Sequence, residues 1–186
     1  NIQLLNQNIQ QINNQTATGA FAIQSLGGIN YFVGNVGIGS NAPDRLLHAE
    51  SSDAVTNATT YAQRLSHITS GTAAASFGVG TEHELESGSG TNRVVSTQET
   101  ILTTATDAAE NADYVVKLMA AGAAAAERLR ITSAGMILMT AILQANLGTP
   151  ANGHIAYCSD CGIANPCAGG GTGAIAKRLN GVWVCN

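Results

Sequence analysis

Charge and aromatic surface are what this chain has least of. Charged residues make up 11% and aromatic residues 4% of its 186 residues, whereas charged residues alone average about 25% in soluble domains. Few aromatics means few stacking platforms of the kind sugar-processing enzymes use, and catalysis is not expected. The 8 Lys and Arg residues are scattered in a chain of net charge −4. They form no basic patch, which argues against nucleic acid as a partner. No run of about 18 apolar residues occurs, so no membrane insertion is expected. Large apolar side chains are also sparse, because alanine supplies much of the 45% hydrophobic content. A lone chain so composed struggles to offset its conformational entropy, and association of several copies is the direct remedy. The chain begins at Asn1 with neither a methionine nor a signal-peptide pattern, and is read as a fragment or processed product of a longer protein.

What is present begins with a seam. Ile2, Leu5, Ile9 and Ile12 recur at alternating steps of three and four, separated almost entirely by Asn and Gln. That is the a/d pattern of a parallel coiled coil, and Ile at these positions favours states above the dimer, trimers included. A single amphipathic helix docked on its own domain is the alternative. Residues 1–19 are therefore expected to form a trimeric coiled coil, which Gly19 ends. Residues 20–44 are expected to carry a glycine-rich helix-to-strand transition.

Within that transition lies Gly34-Asn35-Val36-Gly37-Ile38-Gly39, followed by the turn signal Asn41-Ala42-Pro43. Glycine in a strand packs nothing and costs backbone entropy, so its repetition implies a close backbone approach or a sharp bend. The spacing reverses the dinucleotide-binding fingerprint, and no helix pattern follows. Likewise, Gly169 to Gly173 followed by Lys177 lacks the Gly-Lys-Ser/Thr of a P-loop. No cofactor is implied.

From Arg45 to Leu147 the dominant period is two. Tyr114, Val116 and Leu118 share one face of a strand, and Leu129 and Ile131 oppose Arg128 and Arg130. Turn-rich punctuation falls at Ser70 to Thr72, Ser87 to Asn92, Asp107 to Asp113 and Ser133 to Gly135. The alanine-rich run Ala120 to Ala126, broken by Gly122, is read as a connection between strands, with a short helix as the alternative. His48, His67, His83 and His154 are dispersed. Each is read as an exposed or satisfied strand histidine and no metal site is expected; in a trimer, Glu82-His83-Glu84 is the first place to look for ligands gathered on an axis.

Several of these segments, in order, resemble bacteriophage tail-fibre and related trimeric fibre proteins. The glycine-rich element with Pro43 and Leu47 resembles their "GNVGIGT-x-x-P-x-x-x-L-x-V" repeat. Residues 70–80 resemble their "sGTpAagFGtG" strand, and residues 110–122 and 127–135 resemble the strands that precede a further repeat. Here Met136-Ile137-Leu138-Met139 stands where that repeat would continue. The resemblance covers most of residues 34–147. It implies an elongated homotrimer in which 45–147 form a shaft or globular module of interwoven antiparallel strands. Trimer-core positions are then Ile2, Leu5, Ile9, Ile12, Val36 and Ile38, and Gly34, Gly37 and Gly39 admit crowded backbones.

Residues 148–186 hold all 4 cysteines, Cys158, Cys161, Cys167 and Cys185, and look like the C-terminal cap of such fibres. Asn180-Gly181 between Leu179 and Val182 signals a hairpin. Trp183 is expected to cover a small core with Tyr157 and Ile175. Cys158-x-x-Cys161 with two further cysteines could bind zinc, although the second pair has no matching spacing. An even cysteine count in a small glycine-rich tip reads more readily as disulfides, with free thiols as the remaining alternative. Of the three possible pairings, Cys158–Cys185 with Cys161–Cys167 is preferred.

The resulting expectation is a mainly β homotrimeric fibre component that attaches to a host surface. Its partners would be its own copies, other tail or baseplate proteins and a host glycan or protein. Ser159, Asp160, Asn165 and Thr172 are candidate receptor contacts. The expected location is the virion or an extracellular surface. A non-viral bacterial adhesin or filament subunit is the alternative, and a polysaccharide-degrading fibre is a further one.

Overall fold

A computed structural model of the chain describes residues 33–186, and the expected coiled coil over residues 1–19 lies outside them. The chain divides into two compact units at Gln63/Arg64. The described residues are mainly β, with one short 3-10 turn at Gln144–Asn146.

In the first unit, β1 (Val36–Ile38) pairs with β2 (Leu47–Ala49) in parallel, not as part of an antiparallel weave. Both strands belong to the same chain, joined by a short loop. Asn35 Nδ2 donates to the carbonyl oxygen of Pro43 at 2.8 Å, which ties that loop down.

The second unit opens with a five-stranded meander in the order β3-β4-β5-β6-β7. Its members are β3 (Gly78–Glu86), β4 (Asn92–Thr104), β5 (Asn111–Leu118), β6 (Ala126–Ile131) and β7 (Ile137–Met139). All pairings are antiparallel between consecutive strands. The segment around Ala120 to Ala125 connects β5 to β6, as the sequence suggests. The turns fall at the Ser87–Asn92 and Ser133–Gly135 signals.

Alternation holds along these strands. Cross-strand partners share a face, so the register places Tyr114, Val116, Leu118, Leu129, Ile131, Ile137 and Met139 on one side of the sheet. That apolar side is the open one: Leu118 is 45% and Ile137 68% exposed. The opposite side carries Val115, fully buried, and the charged groups Asp113, Lys117, Glu99 and Arg130.

The remaining strands form the cap. A three-stranded sheet orders β12 (Val182–Cys185), β11 (Ala174–Leu179) and β8 (Ile155–Cys158), and β9 (Cys161–Gly162) pairs with β10 (Ala168–Gly169). The hairpin between β11 and β12 turns at Asn180 and Gly181, both with positive φ. This is the conformation that an Asn-Gly loop favours. Sulfur and alanine methyl groups make up most of the cap core: Ala156, Cys158, Cys161, Cys167, Ala174, Ala176 and Cys185 are buried there together with Leu147. Trp183 packs against that core and donates its indole N–H to the carbonyl oxygen of Gly148 at 2.9 Å. The register turns Tyr157 and Ile175 to the other side of the sheet, so they do not join Trp183 as expected. Ile142 takes their place.

Candidate functional site

Three features of the described residues lend themselves to function: the open sheet faces, the ionic side of the meander and the cysteine cap. The open face of the meander gathers on β5, β6 and β7, where β-branched and long apolar side chains lie opposite one another. Towards β4 it becomes polar, and the Tyr114 hydroxyl donates to Gln98 Oε1 at 2.9 Å. The cap repeats the pattern. Ile155, Tyr157, Ile175, Leu179, Val182 and Val184 share the face turned away from the cysteines, with Lys177 among them opposite Ile155 and Val184, and Ile155 is 60% exposed. A single chain thus leaves an apolar face on each of its two larger sheets.

The ionic side is satisfied by its own side chains, although Thr97, Glu99 and Lys117 line open clefts there. Arg130 donates from Nη1 to Asp113 Oδ2 at 2.8 Å, and from Nε and Nη2 to the two carboxylate oxygens of Glu127. Asp113 also accepts the backbone N–H of Ser133 at 2.9 Å. Lys117 Nζ lies 2.8 Å from Glu99 Oε2, and the Thr97 hydroxyl donates to Glu99 Oε1. These donors hold the carboxyls below the ordinary carboxylate range: Lys117 for Glu99, and Arg130 for both Asp113 and Glu127. The same pairing raises Arg130. The Arg130–Asp113 and Lys117–Glu99 pairs tie β5 to its neighbours β6 and β4, and Glu127 steadies the Arg130 side chain within β6. Glu82 and His83 fall on opposite faces by alternation, with a bulge before Glu84. His83 instead lies 2.9 Å from the Ser96 hydroxyl. His67 stacks on Phe77, and His48 sits 3.2 Å from Asp44.

The cap contains two disulfides, Cys158–Cys161 and Cys167–Cys185, and these correct the preferred pairing. The sheet order explains the difference. Cys158 and Cys185 lie on β8 and β12, with β11 between them. Two strand spacings amount to roughly 9–10 Å, beyond the reach of a disulfide. Cys167 reaches Cys185 because its N–H donates to the Trp183 carbonyl, and Ala164 pairs with Cys185.

The candidate receptor contacts divide. Asn165 and Thr172 are exposed, whereas Ser159 and Asp160 are half-buried. Asp160 Oδ1 accepts the Gln144 N–H at 2.7 Å, and its carbonyl accepts the Gly171 N–H, so this residue organises the loop. Ile163, 81% exposed on the cap surface, was not singled out in the sequence, where a lone Ile in a polar loop gives no period to read.

The glycine-rich element places Val36 half-buried and Ile38 exposed. A side chain at Gly37 would meet the Ser40 carbonyl, and one at Gly39, where φ is +78°, would meet that of Glu50. The chain's own backbone therefore crowds these two positions, while Gly34 has open space around it. No helix among the described residues is long and apolar enough to cross a membrane. Comparison with protein-family models, curated proteins and solved structures finds no match.

Proposed function

We propose that this chain is a structural and attachment subunit of a homotrimeric fibre, of the kind that phage tails carry, and that it binds a host surface multivalently. The observation that carries the reading is the apolar face that each larger sheet leaves open in one chain. The face of the meander is continuous across three strands, and burying it recovers about 25 cal/mol per Å² of apolar surface. Contiguous apolar faces of this kind mark association surfaces in soluble proteins. The glycine-rich element and the strand motifs resemble trimeric fibre proteins in the same direction. A disulfide-stapled cap suits an extracellular setting, here the virion surface.

Attachment follows from geometry repeated by symmetry. The exposed cap residues Ile163, Asn165 and Thr172 occur three times per fibre, so weak contacts to a host glycan or protein add as avidity, on the order of 100-fold or more. Light scattering on the purified full chain tests the reading. The expected result is a particle of three chains at micromolar concentration, and a stable, compact monomer overturns it.

A further inference from the structure

We propose that the reduced cap is a structural zinc site, in which Cys158, Cys161, Cys167 and Cys185 become four thiolate ligands. The sulfurs of Cys161, Cys167 and Cys185 lie within 4.8 Å of one another, and Cys158 Sγ is bonded to that of Cys161. A tetrahedral zinc site with Zn–S bonds of about 2.3 Å needs sulfurs roughly 3.8 Å apart. Cys161, Cys167 and Cys185 are thus close to the required spacing, whereas Cys158 Sγ lies outside that group and completes the set by turning its side chain once reduction frees it from Cys161. The sequence offers one C-x-x-C half-site and no second. The fold supplies the missing half by bringing Cys167 against Cys185.

Backbone hydrogen bonds hold the four cysteines in addition to the S–S bonds. Cys158 is held in β8 against Ala174, and Cys161 in β9 against Gly169. Cys185 both donates to and accepts from the backbone of Ala164, and the Cys167 N–H donates to Trp183. Ala174 and Ala176 lie between Cys158 and Cys185 on the cysteine face of β11, and their methyl groups leave room for sulfur. All four cysteines are buried, so the ion would sit in a closed, four-coordinate site of the structural kind.

Conversion balances simply. Each disulfide, with one phosphine and one water, yields two thiols and a phosphine oxide, and Zn²⁺ then displaces four protons from the four thiols. The same four residues thereby close the cap with metal where reductant prevails, and with disulfides where it does not. The proposal stands apart from the fibre reading, because it concerns one chain.

The test uses the full chain, reduced with a phosphine under anaerobic conditions and titrated with Zn²⁺, with Co²⁺ as a spectroscopic substitute. One ion per chain with submicromolar affinity, thiolate-to-cobalt charge-transfer absorption, and a raised melting temperature of the reduced protein are expected. The oxidised protein should bind at least 100-fold more weakly. The double variant Cys167→Ser/Cys185→Ser, which keeps the C-x-x-C pair, should lose at least tenfold in affinity when reduced. Absence of stoichiometric binding by the reduced wild type, whether folded or not, overturns the proposal. So does equal binding by the oxidised protein or by the double variant.

Discussion

Gly171 shows how a single residue sets the cap. A Cβ there would lie 2.2 Å from both the Cys161 carbonyl oxygen and the Gly162 nitrogen. Both neighbours are backbone, fixed by β9–β10 pairing and by the Gly171 N–H bond to Asp160. They cannot turn aside as a flexible side chain would. Gly171→Ala is expected to destabilise the cap by about 1–3 kcal/mol, the usual cost of overpacking. Thermal melting of the oxidised protein, together with faster reduction of its disulfides, checks this. Val115 is the counterpart in the meander, fully buried on the ionic side. Val115→Ala removes two methyl groups from that site, and a loss of about 2 kcal/mol in denaturant unfolding is expected.

At the scale of elements, the ionic ladder makes the meander sensitive to acid. Asp113, Glu99 and Glu127 titrate below their ordinary values because Arg130 and Lys117 hold their charged forms. A carboxyl depressed on folding stabilises the folded state above its unfolded pKa, and that contribution disappears as pH falls through the depressed values. Melting temperature is therefore expected to hold from pH 7 to about 5 and to decline below about 4. Glu127→Gln should flatten the decline. Glu99→Gln removes a half-exposed pair and should cost at most about 1 kcal/mol at pH 7.

Elements are also where the sequence is most and least legible. Period two located β5 and β6, and Asn180-Gly181 located the cap hairpin, because alternation and turn chemistry are local. The disulfide partners were not local: they follow from β11 lying between β8 and β12, which no spacing encodes. The side of β5 that faces outward was hidden for a similar reason. Alternation defines two faces, but which one is covered depends on what the other strands bring to it. Here β4 and β6 bring Glu99 and Arg130 to the side of Val115, where Glu99 pairs with Lys117 of β5 itself.

For the whole molecule, the decisive property is apolar surface that one chain does not cover. If copies cover it, a charge placed there should separate them without unfolding the strands. Leu118→Glu with Ile131→Glu is expected to convert the proposed trimer to single chains in light scattering, with the β circular-dichroism spectrum retained. Retention of the trimer would show that this face is not the contact. The cap's open face, around Ile155 and Ile175, gives an independent surface for the same substitution.

The meander is an open sheet, and β3 is one of its edges. That strand carries Glu82, Glu84 and Glu86 in its second half. An uncovered edge offers unpaired N–H and C=O groups to any passing strand, and like charges there deter pairing with another copy. Two copies meeting along β3 would set six carboxylates side by side. Growth by strand addition is thus discouraged, whereas the apolar face carries no such row of charge. The acidic edge acts as a gatekeeper: it turns a second copy away from β3 and leaves the apolar face as the surface open to association.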